Sequence, residues 1–203
     1  MRFNTRPIIM IFSGNGEDIL EIIEKTKTTP DLLITNEREK NDSFNKELLG
    51  VTNFISLPKN PTEKDYAWVL EMYENPIVTF HQWYEEIPKS IIESYTCYRS
   101  HRKLIDFYPE LKDGSVKGEH EWIGSVIQEV TLRPYQGKIV YSCRSNSKLD
   151  KYPPTLQRTS VEAWTEFLKN DKLMNLIETG NKKWTTIRWV LGEKEREHYN
   201  IAC

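Results

Sequence analysis

Pro7-Ile8-Ile9-Met10-Ile11-Phe12-Ser13-Gly14-Asn15-Gly16 is the stretch whose reading decides the fold class. Ile8 to Phe12 is continuously apolar, with no polar residue at alternate positions. Such a run suits a strand covered on both faces, as in parallel sheets. The glycines then turn the chain, and Ile19, Leu20, Ile22 and Ile23 recur at helical spacing. Glu17 and Asp18 fall in the first turn, where acids complement the helix dipole. Asp31 to Thr35 is a second apolar run ending at Asn36. Strand, turn, helix and strand in that order open an α/β domain.

The same reading extends outward. Phe44 to Leu49 reads as a short helix and Val51 to Leu57 as a short strand. Thr62 to Tyr73 reads as a helix with Tyr66, Val69, Leu70 and Tyr73 on one face, Pro61 standing just before its start. Asn75-Pro76 breaks the chain, and Ile77 to Phe80 is a third, central strand. Pro88-Lys89 starts a helix through Glu93, and a strand around Tyr95 to Tyr98 leads to His101. Trp122 to Thr131 and Ile139 to Cys143 read as paired strands around the turn Arg133-Pro134-Tyr135-Gln136-Gly137. Val161 to Ile177 is a long amphipathic helix presenting Trp164, Phe167, Leu168 and Leu173, and Thr186 to Val190 is a short strand. No repeat, low-complexity segment or linker divides the chain, so residues 1–203 are expected to form one domain, with 145–203 its least specific part.

Composition bounds the function. At 203 residues the chain is long enough for a sizeable core. Its 38% hydrophobic and 29% charged residues are ordinary for a globular protein, and 11% aromatics argue against disorder. A net charge of -2 gives no broad basic footprint, so no nucleic-acid polymer is expected as a partner. Cys97, Cys143 and Cys203 are odd in number and widely spaced, which suits free thiols in a cytoplasm and supports neither a disulfide framework nor a structural zinc site. No apolar run has the length of a bilayer span, so the expectation is a cytoplasmic protein with no membrane partner and no metal.

Three places carry chemistry. Ser13-Gly14-Asn15-Gly16, between a strand and a helix, offers backbone amides to an anion such as phosphate, or is simply a tight turn. The dinucleotide fingerprint fails there, because position 19 is Ile19, and the Gly-Lys-Ser/Thr of triphosphatases is absent. Phe80-His81-Gln82-Trp83-Tyr84-Glu85-Glu86 follows the third strand, where an open α/β sheet binds ligands. Its aromatic rings suit stacking on a flat heterocycle or packing inward. Arg99 and His101 lie at the end of the next strand. His120 between two glutamates, and Arg144 and Lys148 after the last long strand, read as solvated surface charge.

The chain resembles the folate-dependent formyltransferases, the family of glycinamide ribonucleotide transformylase. The resemblance is carried by Ile9 to Gly16, by His101-Arg102-Lys103-Leu104-Ile105-Asp106-Phe107-Tyr108-Pro109-Glu110-Leu111-Lys112, and by Gly124-Ser125-Val126-Ile127-Gln128 through Gly137. It implies a three-layer, Rossmann-like α/β fold with a mostly parallel central sheet. It also implies 10-formyltetrahydrofolate as donor and a small-molecule amine as acceptor.

The family's site is an Asn-x-His followed by an Asp. Here His101 aligns with the histidine, Arg99 with the asparagine and Tyr135 with the aspartate. Arginine is a permanent charged donor that suits a developing oxyanion. Tyrosine, with a reference pKa of about 10, is no carboxylate at neutral pH. By the resemblance, His81, Gln82, Trp83, Tyr84, Gln136 and Gly137 would line the cofactor pocket. Ser13, Gly14, Asn15 and Gly16 would hold the substrate, although Glu17 stands where the family has a serine and would repel a phosphate. The residues leave two alternatives open. One is a catalytically degenerate relative that binds a ligand or another protein. The other is a nucleotide-modifying enzyme of altered chemistry.

Overall fold

The computed structural model describes residues 6–36, 44–105, 108, 122–146, 154–169 and 186–189. The chain divides into two compact units, Met1–Arg99 with Glu129–Gly137, and Ser100–Gln128 with Lys138–Cys203.

The first unit opens with β1 (Ile8–Phe12), α1 (Glu17–Thr26) and β2 (Leu32–Thr35). A 3-10 helix (Lys46–Gly50), β3 (Asn53–Ser56), α2 (Glu63–Leu70), β4 (Ile77–His81) and α3 (Lys89–Ser94) follow, and β5 spans Thr96–His101. β1 lies between β2 and β4, with β3 beyond β2 and β5 beyond β4, and all four pairings are parallel. β1 and β4 are buried along nearly their whole length, as continuous apolar runs require.

Alternation sorts the side chains. Ile9, Ile11, Leu32, Ile34, Val78, Phe80 and Cys97 join Tyr66, Val69 and Leu70 of α2 and Ile91 of α3 in one core cluster. Met10, Phe12, Thr79 and His81 take the opposite face, and Ile19 of α1 lines a cleft with Phe12 and His81. Helices therefore cover both faces, an α/β arrangement with a mostly parallel sheet. Three isoleucines disfavour α1 by a few tenths of a kcal/mol each. Burying each returns about 1.5–3 kcal/mol, so packing decides the helix.

The second unit holds β6 (Trp122–Glu129, to Gln128), β7 (Ile139–Asn146), α4 (Pro154–Lys169) and β8 (Thr186–Trp189). β6 and β7 pair antiparallel and β7 and β8 parallel. A Cβ on Gly124 would lie 2.0 Å from the Cys143 carbonyl oxygen, so only glycine allows that approach of β6 to β7. α4 packs on β7. Within α4 the Trp164 and Phe167 rings meet edge to face at 5.6 Å, and Thr159 bonds Ser125 of β6 at 3.1 Å.

Several expected boundaries move for local reasons. α2 begins after Thr62, whose capping box with Asp65 fixes the start, and ends at Leu70, three residues before Tyr73. α4 starts at Pro154, seven residues before Val161, because proline suits the first helical position. Leu173, Ile177, His120 and Lys148 lie outside the described residues. β5 runs on to include His101. Arg144, read as surface charge, is only 4% exposed. Among the described residues no helix is long and apolar enough to cross a membrane, and no cluster of three metal-ligating side chains occurs.

Candidate functional site

The glycine turn and the end of β4 enclose a cleft of about 240 Å³, part of it open to solvent. Residues 12–16 form one side, Asp18 and Ile19 of α1 a second, and His81 and Gln82 a third. Gly14 and Gly16 have φ of 87° and 80°, the left-handed region in which glycine is unstrained. Asn15 Oδ1 accepts from the Glu17 amide at 3.2 Å, and the Ser13 amide donates to the His81 carbonyl at 3.3 Å. All four residues of the predicted substrate turn thus line one cavity.

The carboxylate in this cleft belongs to Asp18. Glu17, which the resemblance singled out, is exposed, whereas Asp18 is 9% exposed and accepts a hydrogen bond from Gln82 Nε2. One step of 100° around the helix separates the two roles. The acidic pair was visible in sequence, but its facing was not. Gln82 reaches Asp18 from a left-handed backbone (φ 49°), an uncommon conformation for a side chain of that size. Among the described residues lining the cleft, none is a lysine or arginine.

His81 lines the same cavity. It is 3% exposed, its Nε2 lies 2.9 Å from Thr79 Oγ1, and burial lowers its pKa to about 3. It is a neutral imidazole at physiological pH, able to give or take a hydrogen bond but contributing no positive charge.

Arg99 stands on the opposite face of the sheet. It is in register with Phe80, a member of the core cluster, whereas His81 alternates away. Arg99 Nη2 donates to the carbonyl oxygens of Trp83 at 3.1 Å and Glu85 at 3.3 Å, while its Nε is buried without a partner. Burial lowers its pKa, and Tyr135 and Tyr66 act in the opposite direction. His101 is half-buried, two positions along β5 from Arg99, on the same alternation of that strand.

Trp83 turns into the core. It is 3% exposed and its Nε1 donates to Tyr66 Oη at 2.9 Å, with the rings edge to face. Burial raises the Tyr66 pKa to about 12, so its hydroxyl stays protonated. Tyr84 points outward at 80% exposure, leaving its ring free to stack. Tyr135 is half-buried in a left-handed conformation (φ 59°), strained for an aromatic residue, and Gln136 beside it is exposed. A Cβ on Gly137 would lie 1.7 Å from the Glu129 carbonyl oxygen, which explains the glycine there.

A polar chain joins the two faces at the carboxyl ends of the strands. Ser13 Oγ donates to Asn36 Oδ1 at 3.0 Å, Asn36 Nδ2 donates to Glu85 Oε1 at 3.1 Å, and the Glu85 carbonyl receives Arg99. Asn36 had no signal in sequence, and Glu85 stood in the loop after the third strand with no role of its own. Their pairing spans 49 residues and exists only after β2 and β4 flank β1.

Comparison with solved structures places this geometry. A phosphoribosylglycinamide formyltransferase from Anaplasma phagocytophilum superposes with a TM-score of 0.69 at 12% identity, over 93% of this chain and 100% of that one. The chain has the formyltransferase fold. A glycinamide ribonucleotide transformylase from Symbiobacterium toebii gives 0.63 at 14% identity, over 86% and 88% of the two chains. A sugar N-formyltransferase from a Shewanella species gives 0.51 at 15%, over 91% and 77%. No protein-family model and no curated protein sequence matches the chain. Within the formyltransferase fold, the glycine turn, the β4 loop and the end of β5 all lie at the carboxyl ends of parallel strands, where open α/β sheets bind ligands.

Proposed function

We propose that this protein is a formyltransferase-like transferase. It would move a formyl group from 10-formyltetrahydrofolate to an amine of a nucleotide, sugar nucleotide or related metabolite. The observation that carries the reading is the cleft at the carboxyl ends of β1 and β4, in a chain with the formyltransferase fold over most of its length. The acceptor's reactive end would lie over this open cleft, and the donor's flat ring would stack on the exposed Tyr84 of the neighbouring loop.

In such a transfer the acceptor nitrogen attacks the formyl carbon, the bond from that carbon to N10 of the folate breaks, and the proton lost by the amine ends on N10. This chain's residues would position the partners and stabilise the oxygen charge. His101 would donate to the carbonyl oxygen. Arg99 would supply a fixed positive field, since its Nη2 is committed to the loop. Tyr135 would shape the pocket wall and keep its hydroxyl proton.

The commitment of Arg99 favours one further reading, a relative that binds ligands without turnover. Thermal denaturation with reduced folates, followed by a formyl-transfer assay over a panel of amines, separates the two. Stabilisation and transfer support the first reading, and at a hundredfold excess over Kd the gain should be about 2.7 kcal/mol. Stabilisation without transfer supports the second, and no stabilisation by any folate overturns the first. The Arg99→Asn/Tyr135→Asp double variant extends the test: a gain of formyl transfer would mark a drifted site.

A further inference from the structure

Asn36 directly follows β2 and hydrogen-bonds two segments brought from distant parts of the chain. Its Oδ1 accepts from Oγ of Ser13, the first residue of the glycine turn, at 3.0 Å, and its Nδ2 donates to Glu85 Oε1 at 3.1 Å. A weaker contact at 3.4 Å runs from Nδ2 to the Lys59 carbonyl oxygen. A carboxylate only accepts, so Glu85 must receive the amide nitrogen, which leaves the amide oxygen for Ser13. Glu85 follows Tyr84, whose side chain is 80% exposed. Arg99 holds the carbonyl oxygens of Trp83 and Glu85, the residues on either side of it. The loop that carries the exposed ring is thus pinned on both sides, and one pin is anchored in the glycine turn. A hydrogen bond of this kind is a small part of a fold's stability, but it fixes distance and angle between the segments it joins. These are the two segments assigned above to the acceptor and to the donor's flat ring. Their relative placement decides whether amine and formyl carbon come within reach.

We propose that Asn36 is a positioning residue. Through Ser13 and Glu85 it sets the loop carrying Tyr84 against the glycine turn, and with it the grip of Tyr84 on a flat heterocycle. This inference rests on the reading of that loop as the donor site and deepens it. Asn36 acts through its two partners rather than on the reacting atoms.

Exchanging the two side-chain groups tests the link. Asn36→Asp alone sets one carboxylate against another, whereas Asn36→Asp/Glu85→Gln restores the hydrogen bond with its direction reversed and the net charge unchanged. Calorimetry on the full-length protein gives the Kd of tetrahydrofolate under reducing conditions, and amide hydrogen exchange follows residues 13–16 and 82–86. Asn36→Asp should weaken folate binding about tenfold, the scale of one lost hydrogen bond, and should speed exchange in both segments. The double variant should recover most of both. Tyr84→Ala should cost less affinity in Asn36→Asp than in the parent, a coupling that a purely structural role would not produce. If Asn36→Asp does not fold, Glu85→Ala removes the acceptor instead and should give the same losses. Unchanged affinity in Asn36→Asp, no recovery in the double variant, or an additive effect of Tyr84→Ala overturns the proposal. Exchange separates it from the proposed function. A parent that binds no folate overturns that function; the link between the two segments then stands if both quicken in Asn36→Asp and falls if residues 13–16 are unaffected.

Discussion

Arg99 donates through Nη2 to the carbonyl oxygen of Trp83, sixteen residues earlier, at 3.1 Å. The same nitrogen reaches the Glu85 carbonyl. A half-buried cation thus ties the end of β5 to the loop after β4, with the buried indole of Trp83 bonded to Tyr66.

Removing the guanidinium should leave two carbonyls without their donor. Arg99→Met is expected to lower stability by about 1.5–3 kcal/mol, read from the midpoint of urea unfolding at constant slope. Arg99→Lys should recover only part, because a flexible ammonium is not held in plane between the two carbonyls as Nη2 is. A change below about 0.5 kcal/mol would remove the clamp from the account.

The neutral, buried His81 predicts a pH dependence. Its folded pKa of about 3 lies below the unfolded value of 6.5. Between these values the unfolded chain binds the extra proton, so stability falls as pH drops through that window and is unaffected by this group above it. The slope should approach 1.4 kcal/mol per pH unit. Urea titrations from pH 7 to pH 4 should show a shallower fall in His81→Gln than in the parent, and parallel curves would refute the assignment.

The two left-handed glycines of the turn should respond differently to alanine. Both pay the backbone strain, about 1 kcal/mol, but a Cβ on Gly14 meets nothing within 4 Å, while one on Gly16 comes within 2.3 Å of Leu48 Cδ1. Gly16→Ala should therefore exceed Gly14→Ala by at least about 1 kcal/mol in thermal or chemical unfolding. The reverse order would mean that the turn is set otherwise.

Trp83→Phe deletes the donor to Tyr66 Oη and leaves a gap in the core cluster. A loss of about 1–3 kcal/mol is expected, with retained secondary structure by far-ultraviolet dichroism. Tyr84→Ala, at 80% exposure, should change stability by less than about 0.5 kcal/mol and act on folate affinity instead.

Local pattern carried much of the fold. The apolar runs that became β1, β2 and β4 and the isoleucine stripe of α1 are legible because burial imposes periods of 2 and 3.6 on neighbouring residues. The candidate site was legible as segments only. Tyr84 and Trp83 are adjacent and equally aromatic, yet one faces solvent and the other the core. Asn36 carried no motif, and that it pairs with Glu85 of the loop after β4 became visible only in the fold.

The amino-acid sequence by itself determined which segments are buried strands and which are amphipathic helices, and hence the mostly parallel α/β fold. Only the tertiary structure decided that Asp18 rather than Glu17 enters the cleft, and that Arg99 and His81 stand on opposite faces of the sheet. The reason is geometric. Burial periodicity is a property of neighbours along the chain, whereas facing depends on the register of strands and the seating of a helix against partners contributed from tens of residues away.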